Sequence, residues 1–258
     1  MSTNMSVKQK MTPGDRKMNA NTSVEQPGHQ PETARTIVRY LVREAMGLLM
    51  LAAMLFLSAG RLDWVMGWAL VGIMLAWSTA TALVLIPRNP ELLAERTGPK
   101  KGAKTWDTVI LSIIGLATIA RCIVAGLDER LGWTTTISLP LQIATLVVAV
   151  LGYALVVWAT AANAFFSQVV RIQKERGHTV ATGGPYRFVR HPGYVGTILF
   201  EIAVPVMLGS WWALIPGGLS ALLSVVRTVL EDKTLLDELD GYREYAERTR
   251  YRLLPGIW

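Results

Sequence analysis

The chain has 258 residues, 51% hydrophobic and 17% charged, and its 26 Lys+Arg outnumber its 19 Asp+Glu by a formal +7. Its mean hydropathy of +0.33 is above what soluble domains of this size show, so the composition points to a membrane protein. A single cysteine, Cys122, excludes an internal disulfide, a Cys-rich zinc site and a dithiol redox pair, while cations lying beside apolar runs argue against nucleic acid as a partner.

Residues 1–34 carry no Leu, Ile or aromatic side chain and cannot bury a core, so a disordered cytoplasmic tail is expected over 1–36. The first apolar run starts near Ile37, too late for a cleavable secretory signal. Runs able to cross ~30 Å of hydrocarbon at ~20 residues each follow at 40–59, 64–86, 106–125 and 137–162. Two shorter ones, 193–208 and 211–226, separated by Gly209-Ser210, read as a tight helical hairpin. Of the 26 cations, 23 fall in 1–43, 88–104, 171–190 and from 227 onward; Arg61, Arg121 and Arg130 are left for the alternate loops. That division places both termini in the cytoplasm and favours six spans. Trp64, Trp68, Trp133, Trp211 and Trp212 fall near the opposite ends, where indoles anchor at the headgroups. The expected fold is all-α, a polytopic helix bundle of about six transmembrane helices. Its N-terminal transmembrane helices are expected in 37–159, and the expected location is a bacterial cytoplasmic membrane.

The densest polar stretch, Arg171 to Tyr194, lies between two membrane helices on the cytoplasmic side and carries His178 and His191. Gly183-Gly184-Pro185 signals a turn, and Arg190-His191-Pro192 opens a helix with Pro in its first turn, a place that attracts anions. Beyond the last span come Arg227, Glu231 and Asp232; Arg227 and Glu231 are four apart and share a helix face, so they either pair or point together into a cavity. Glu201 sits midway along a span and needs a partner there, and Pro205 frees its carbonyl, which implies a buried pocket or water. The Gly98-to-Thr105 segment has the wrong spacing for a phosphate loop and reads as a flexible basic loop, and no GxGxxG occurs. His178 and His191 lack companion ligands at zinc-like spacing, so no metal site is expected.

The run His178…Gly184-Pro185-Tyr186-Arg187…Arg190-His191-Pro192-Gly193-Tyr194-Val195-Gly196 resembles the signature of the isoprenylcysteine carboxyl methyltransferase family. Arg227-Thr228…Glu231-Asp232…Leu235, then Gly241-Tyr242…Tyr245 and the closing Tyr251 to Trp258, look like the rest of that family's region, with Asp232 where the family usually has a second Glu. The resemblance covers roughly 160–258. It implies an integral membrane enzyme that uses S-adenosylmethionine at a cytoplasmic site. His178, Pro185, Tyr186, His191, Pro192 and Tyr194 would surround the cofactor, with Gln173 from the same loop and Glu231 and Asp232 closing it. Arg190 and Arg227 would face the acidic end of the substrate as the catalytic candidates. The implied reaction moves a methyl group to the carboxylate of an amphiphilic, lipid-like substrate that enters between helices, membrane lipids being the remaining partners. Three alternatives stay open: a phospholipid or amine N-methyltransferase with overlapping motifs, an NADPH-dependent sterol-type reductase, and a non-enzymatic membrane scaffold. The Arg190-His191 pair favours the carboxyl branch. The reductases resemble Asn before the Tyr and Glu soon after it, where this chain has Gly193 and Gly196.

Overall fold

The computed structural model describes residues 29–98 and 102–258. Its helices are α1 (His29–Ala59), α2 (Val65–Arg88), α3 (Pro90–Thr97), α4 (Thr105–Leu131), α5 (Leu139–Ala162), α6 (Pro192–Met207), α7 (Leu214–Glu238) and α8 (Tyr242–Arg248), with single 3₁₀ turns at Lys174–Arg176 and Gly184–Arg187. Five of them, α1 from Ala34 onward, α2, α4, α5 and α7, are long and apolar enough to cross a membrane, whereas α6 has only 16 residues. The chain is a polytopic helical membrane protein.

Three boundaries differ from the sequence reading. Helix α1 begins at His29, inside the segment expected to be a disordered tail, and residues 1–28 lie outside the described residues, as does the middle of the basic loop at 99–101. Helix α7 runs on to Glu238 instead of stopping near 226, because the charges that break its apolar run, Arg227 and Asp232, turn inward and are neutralised, Arg227 by Asp107 of α4 and Asp232 by Arg190 just before α6. Helices α3 and α8 are too short and too polar to register as apolar runs. Helix α3 is nonetheless well specified: Asn89 Oδ1 accepts from Leu92 N at 3.0 Å and Pro90 occupies the first turn.

The long helices and α6 close into a ring, each packing on the next in the order α1, α4, α7, α6, α5, α2 and back to α1. Large apolar side chains such as Leu57, Val65, Leu83, Leu116, Leu151 and Leu222 point outward and stay exposed, as a lipid-facing surface requires. Helices α5 and α6 approach closely through glycines: a Cβ on Gly152 would stand 2.7 Å from Gly196 O, and one on Gly196 would stand closer still to Gly152 O. One half of the ring is filled. Leu55, Phe56, Trp64, Leu70, Cys122, Phe200, Val204, Met207 and Leu208 form its core, and Asp128 ties the adjoining loops together by accepting from Thr134 N at 2.7 Å and Ser210 Oγ at 2.5 Å. Trp64, expected as an interfacial anchor, is only 5% exposed and belongs to this core against Phe56, while Trp68, Trp133, Trp211 and Trp212 stay half-exposed.

Arg121 also moves from its expected place. It lies within α4 rather than in a loop, buried, and its guanidinium pairs with the equally buried Glu201 of α6. This answers the demand for a partner at Glu201. The carbonyl that Pro205 frees faces Gly217 of α7, where a Cβ would come within 2.6 Å of Glu201 O, so close helix contact replaces the expected pocket.

Candidate functional site

At the other end of the ring, where α3, α8 and the 163–191 connection gather, the interior opens into a cavity of about 500 Å³, within the range of small-ligand sites. Its wall runs from Thr179, Val180, Tyr242 and Tyr245 at the loop end to Trp77, Leu111, Val156 and Thr197 on the membrane helices. A polar mouth therefore continues into an apolar interior. Seven of the eleven residues singled out from the sequence reach this wall: His178, Tyr186, Arg190, His191, Tyr194, Arg227 and Glu231. Gln173, Pro185, Pro192 and Asp232 do not; they build the frame behind it.

Asp232 is the centre of that frame. It is fully buried on α7 and accepts Arg190 Nε and Nη2, each at 2.8 Å, Arg252 Nε at 2.8 Å, Tyr242 OH at 2.9 Å and His191 Nε2 at 3.0 Å. Because the acceptor is a carboxylate, His191 carries its proton on Nε2. Arg190 spends its remaining nitrogen Nη1 on the carbonyls of Thr249 at 3.0 Å and Arg250 at 2.7 Å. Two backbone bonds, Arg190 N to Tyr251 O at 2.9 Å and His191 N to Arg252 O at 3.0 Å, hold the segment after α8 against the start of α6. Expected as a cation for substrate, Arg190 is thus occupied by an acid and two carbonyls.

Arg227 has a comparable fate. It does not pair with Glu231; Asp107 arrives from the first turn of α4 and accepts Nε at 2.5 Å and Nη2 at 3.2 Å, while Gln168 O accepts Nη2 at 2.8 Å. Asp107 also accepts Val170 N at 2.7 Å, so one fully buried carboxylate fixes both α7 and the loop. The Arg227 guanidinium lies 5.4 Å from the centre of the Tyr194 ring. Tyr194 OH donates to Glu231, which leaves Glu231 as the one carboxylate among the described residues on the cavity wall.

The loop side is ordered by a second set of contacts. Arg171 is held by Glu95 at 2.8 and 2.7 Å and by Glu175 at 2.7 Å, which ties the connection to α3 and holds the Glu95 carboxyl below its usual range. Gln173 is fully buried, donates Nε2 to Phe165 O at 2.9 Å, accepts from Arg176, and donates its backbone N to His178 Nδ1 at 3.3 Å. His178 stacks on Phe165 with ring centres 4.5 Å apart. Burial, then the charges of Arg176 and Arg171, push its imidazole down to about 4, so it is neutral at pH 7. Tyr245 OH donates to Tyr186 O at 2.7 Å, and burial pushes its own phenol up to about 12; burial raises Tyr186 and Tyr242 as well. Among the described residues no three His, Cys, Asp or Glu side chains gather as a metal site.

Glu95, Arg96, Asp107, Phe165 and Phe166 escaped the sequence reading. Each acts through a partner elsewhere in the chain, and the local signal was slight: Asp107 is an ordinary acid in the first turn of α4, and Arg96 was counted only among the cations of 88–104.

The ring of long apolar helices, with a cavity at its loop end, defines a multi-pass membrane protein. Residues 142–237 match the model of the isoprenylcysteine carboxyl methyltransferase family. The matched segment makes up a little more than a third of the chain. It is similar to a probable protein-S-isoprenylcysteine O-methyltransferase of Oryza sativa subsp. indica, with 44% identity over 43 residues, 17% of this chain and 22% of that protein. A protein-S-isoprenylcysteine O-methyltransferase of Schizosaccharomyces pombe is 35% identical over 46 residues, 18% of this chain and 20% of that protein. The chain thus matches about a fifth of the length of these curated relatives.

Proposed function

We propose that the protein is an S-adenosylmethionine-dependent O-methyltransferase that esterifies the carboxylate of an isoprenylated, lipid-like substrate, with its loop end and both termini in the cytoplasm. The observation that carries the reading is the cavity itself, continuous from a polar mouth lined by Glu231, Tyr194 and His178 to an apolar interior lined by Trp77, Leu111 and Val156. Such a shape takes a water-soluble donor at one end and a greasy acceptor at the other. The orientation is supported by the 23 of 26 cations outside Arg61, Arg121 and Arg130.

The donor set fits S-adenosylmethionine. Glu231 offers a carboxylate to an ammonium or sulfonium; Tyr186, Tyr194, Tyr242, Tyr245 and the His178 imidazole offer aromatic faces and polar edges to a purine ring. When bound, the cofactor supplies an electrophilic methyl group. The chain's own work is to orient and to dry. Asp232 and Asp107 fix the backs of Arg190, His191 and Arg227 so that the wall they present is preorganised. Tyr194, held by Glu231 and capped by Arg227, keeps a single rotamer facing the cavity. No side chain has to remove a proton from a carboxylate nucleophile, which is already ionised above about pH 5.

The test is to incubate purified protein in lipid with methyl-labelled S-adenosylmethionine and a prenylated cysteine free acid. The expected product is lipid-soluble and releases volatile label in mild alkali, at a rate nearly flat from pH 6 to 8. An alkali-stable methylated product would move the assignment to an amine acceptor, and absence of any labelled lipid from folded protein that binds the cofactor would end the carboxyl reading.

A further inference from the structure

Four guanidinium groups line the cavity: Arg96, Arg171, Arg190 and Arg227. Three carry acids of their own, Arg171 with Glu95 and Glu175, Arg190 with Asp232, Arg227 with Asp107. Arg96 has none. It projects from α3, outside the segment that matches the family, and is 6% exposed. Its Nη2 donates to Phe166 O at 3.1 Å and to Thr160 Oγ1 at 3.5 Å, while its buried Nε makes no hydrogen bond. The nearby acid, Glu44, is engaged by Arg43 at 3.1 Å and by Ser78 Oγ at 3.1 Å, so it does not neutralise Arg96. Tyr40 and Phe166 flank the guanidinium, the latter at 5.6 Å from its ring centre.

Burying a guanidinium without an acid is unfavourable, and a bare cation on a cavity wall is a recognition element for an anion that arrives with the ligand. Desolvation pulls the group down to about 10, which still leaves it charged at pH 7. The surroundings identify the anion's carrier: Trp77, Val156 and Thr160 line the same cavity where it enters the helices, whereas Glu231, the cofactor-facing acid, stands on α7. An anion held at Arg96 therefore has its apolar body among α2 and α5.

We infer that Arg96 is the residue that binds the carboxylate of the amphiphilic substrate, a role the sequence had assigned to Arg190 and Arg227. Arg96 reaches the cavity wall, and the fork geometry of a guanidinium suits two carboxylate oxygens. The inference rests on the methyltransferase reading for the name of the substrate, but binding can be measured without turnover.

The experiment compares N-acetyl-S-farnesylcysteine as free acid and as carboxamide, with equilibrium binding to purified protein in detergent, and S-adenosylhomocysteine as the cofactor probe. The parent protein should prefer the acid by about tenfold or more, the scale of one charge-assisted pair. Arg96→Gln should abolish that preference, raise the KM for the acid by a similar factor at near-constant kcat, and leave S-adenosylhomocysteine affinity within about twofold. Arg96→Lys, which keeps the charge without the fork and guards against misfolding of the glutamine variant, should keep part of the preference. Undiminished preference in either folded variant overturns the assignment. So does loss of S-adenosylhomocysteine binding with an unchanged acid preference, which would give the carboxylate at Arg96 to the cofactor. If the parent binds the acid selectively through Arg96 yet transfers no methyl, the methyltransferase reading falls and the anion site stands.

Discussion

Removing the Asp232 carboxylate separates a structural acid from a ligand-binding one. In Asp232→Ala, Arg190, only 7% exposed, loses both of its 2.8 Å bonds to an acid, and Tyr242 and His191 lose their shared acceptor. Breaking a buried pair from one side costs about 3–5 kcal/mol, because the remaining charge stays desolvated. Arg252 is a third exposed and can turn to solvent, so its lost bond adds little. At roughly 2–4 °C per kcal/mol for a protein of this length, the melting temperature in detergent should fall by roughly 6–20 °C. Glu231→Gln is the comparison. It keeps an acceptor for Tyr194 and removes only a charge facing the cavity, so it should melt within about 2 °C of the parent while S-adenosylhomocysteine affinity drops. Melting curves with and without S-adenosylhomocysteine read both effects. An Asp232→Ala protein as stable as the parent refutes the reasoning, and if it also fails to bind S-adenosylhomocysteine, Asp232 belongs to the ligand.

Glu201→Ala should destabilise by about 3–5 kcal/mol by stranding Arg121, whereas the double change Arg121→Met with Glu201→Leu should recover most of that loss, as a thermal double-mutant cycle would reveal. His178 has a folded-state value near 4, depressed below the ordinary 6.5, so its contribution to stability is complete above about pH 6.5 and fades as pH falls toward 4. His178→Gln should flatten that part of the melting-temperature profile, and an unchanged profile would mean that another group titrates there. Gly152→Val puts methyl groups where 2.7 Å is free and should lower the yield of folded protein through separation of α5 and α6; normal expression and melting would show that the two helices adjust without cost.

Apolar runs disclosed the long helices because lipid imposes length and apolarity on every span, whatever its neighbours. The 171–194 stretch was also legible in its local structure, since Gly184-Pro185 and Arg190-His191-Pro192 are turn and helix-start signals, and five of its singled-out residues line the cavity. Pairing was not legible. Arg227 and Glu231 share a helix face, yet Asp107, 120 positions away, takes the arginine. Arg190 looked free because its acid lies 42 positions downstream, and Arg121 looked like a loop residue because only the fold supplies Glu201. Which cation stays unpaired depends on all these long-range claims together, and no window of sequence near Arg96 contains them.

The strap from Thr249 to Arg252, bonded to residues 190 and 191, also sets an order on biosynthesis. Helix α6 and its preceding loop leave the ribosome while Asp232 and Arg252 are still unmade, so the nascent Arg190 must wait in water at the membrane surface. The membrane helices can assemble first, but the cavity mouth takes its final form only after residue 252 has cleared the exit tunnel. A nascent chain stalled before that point should be inserted in the membrane and yet unable to hold ligand.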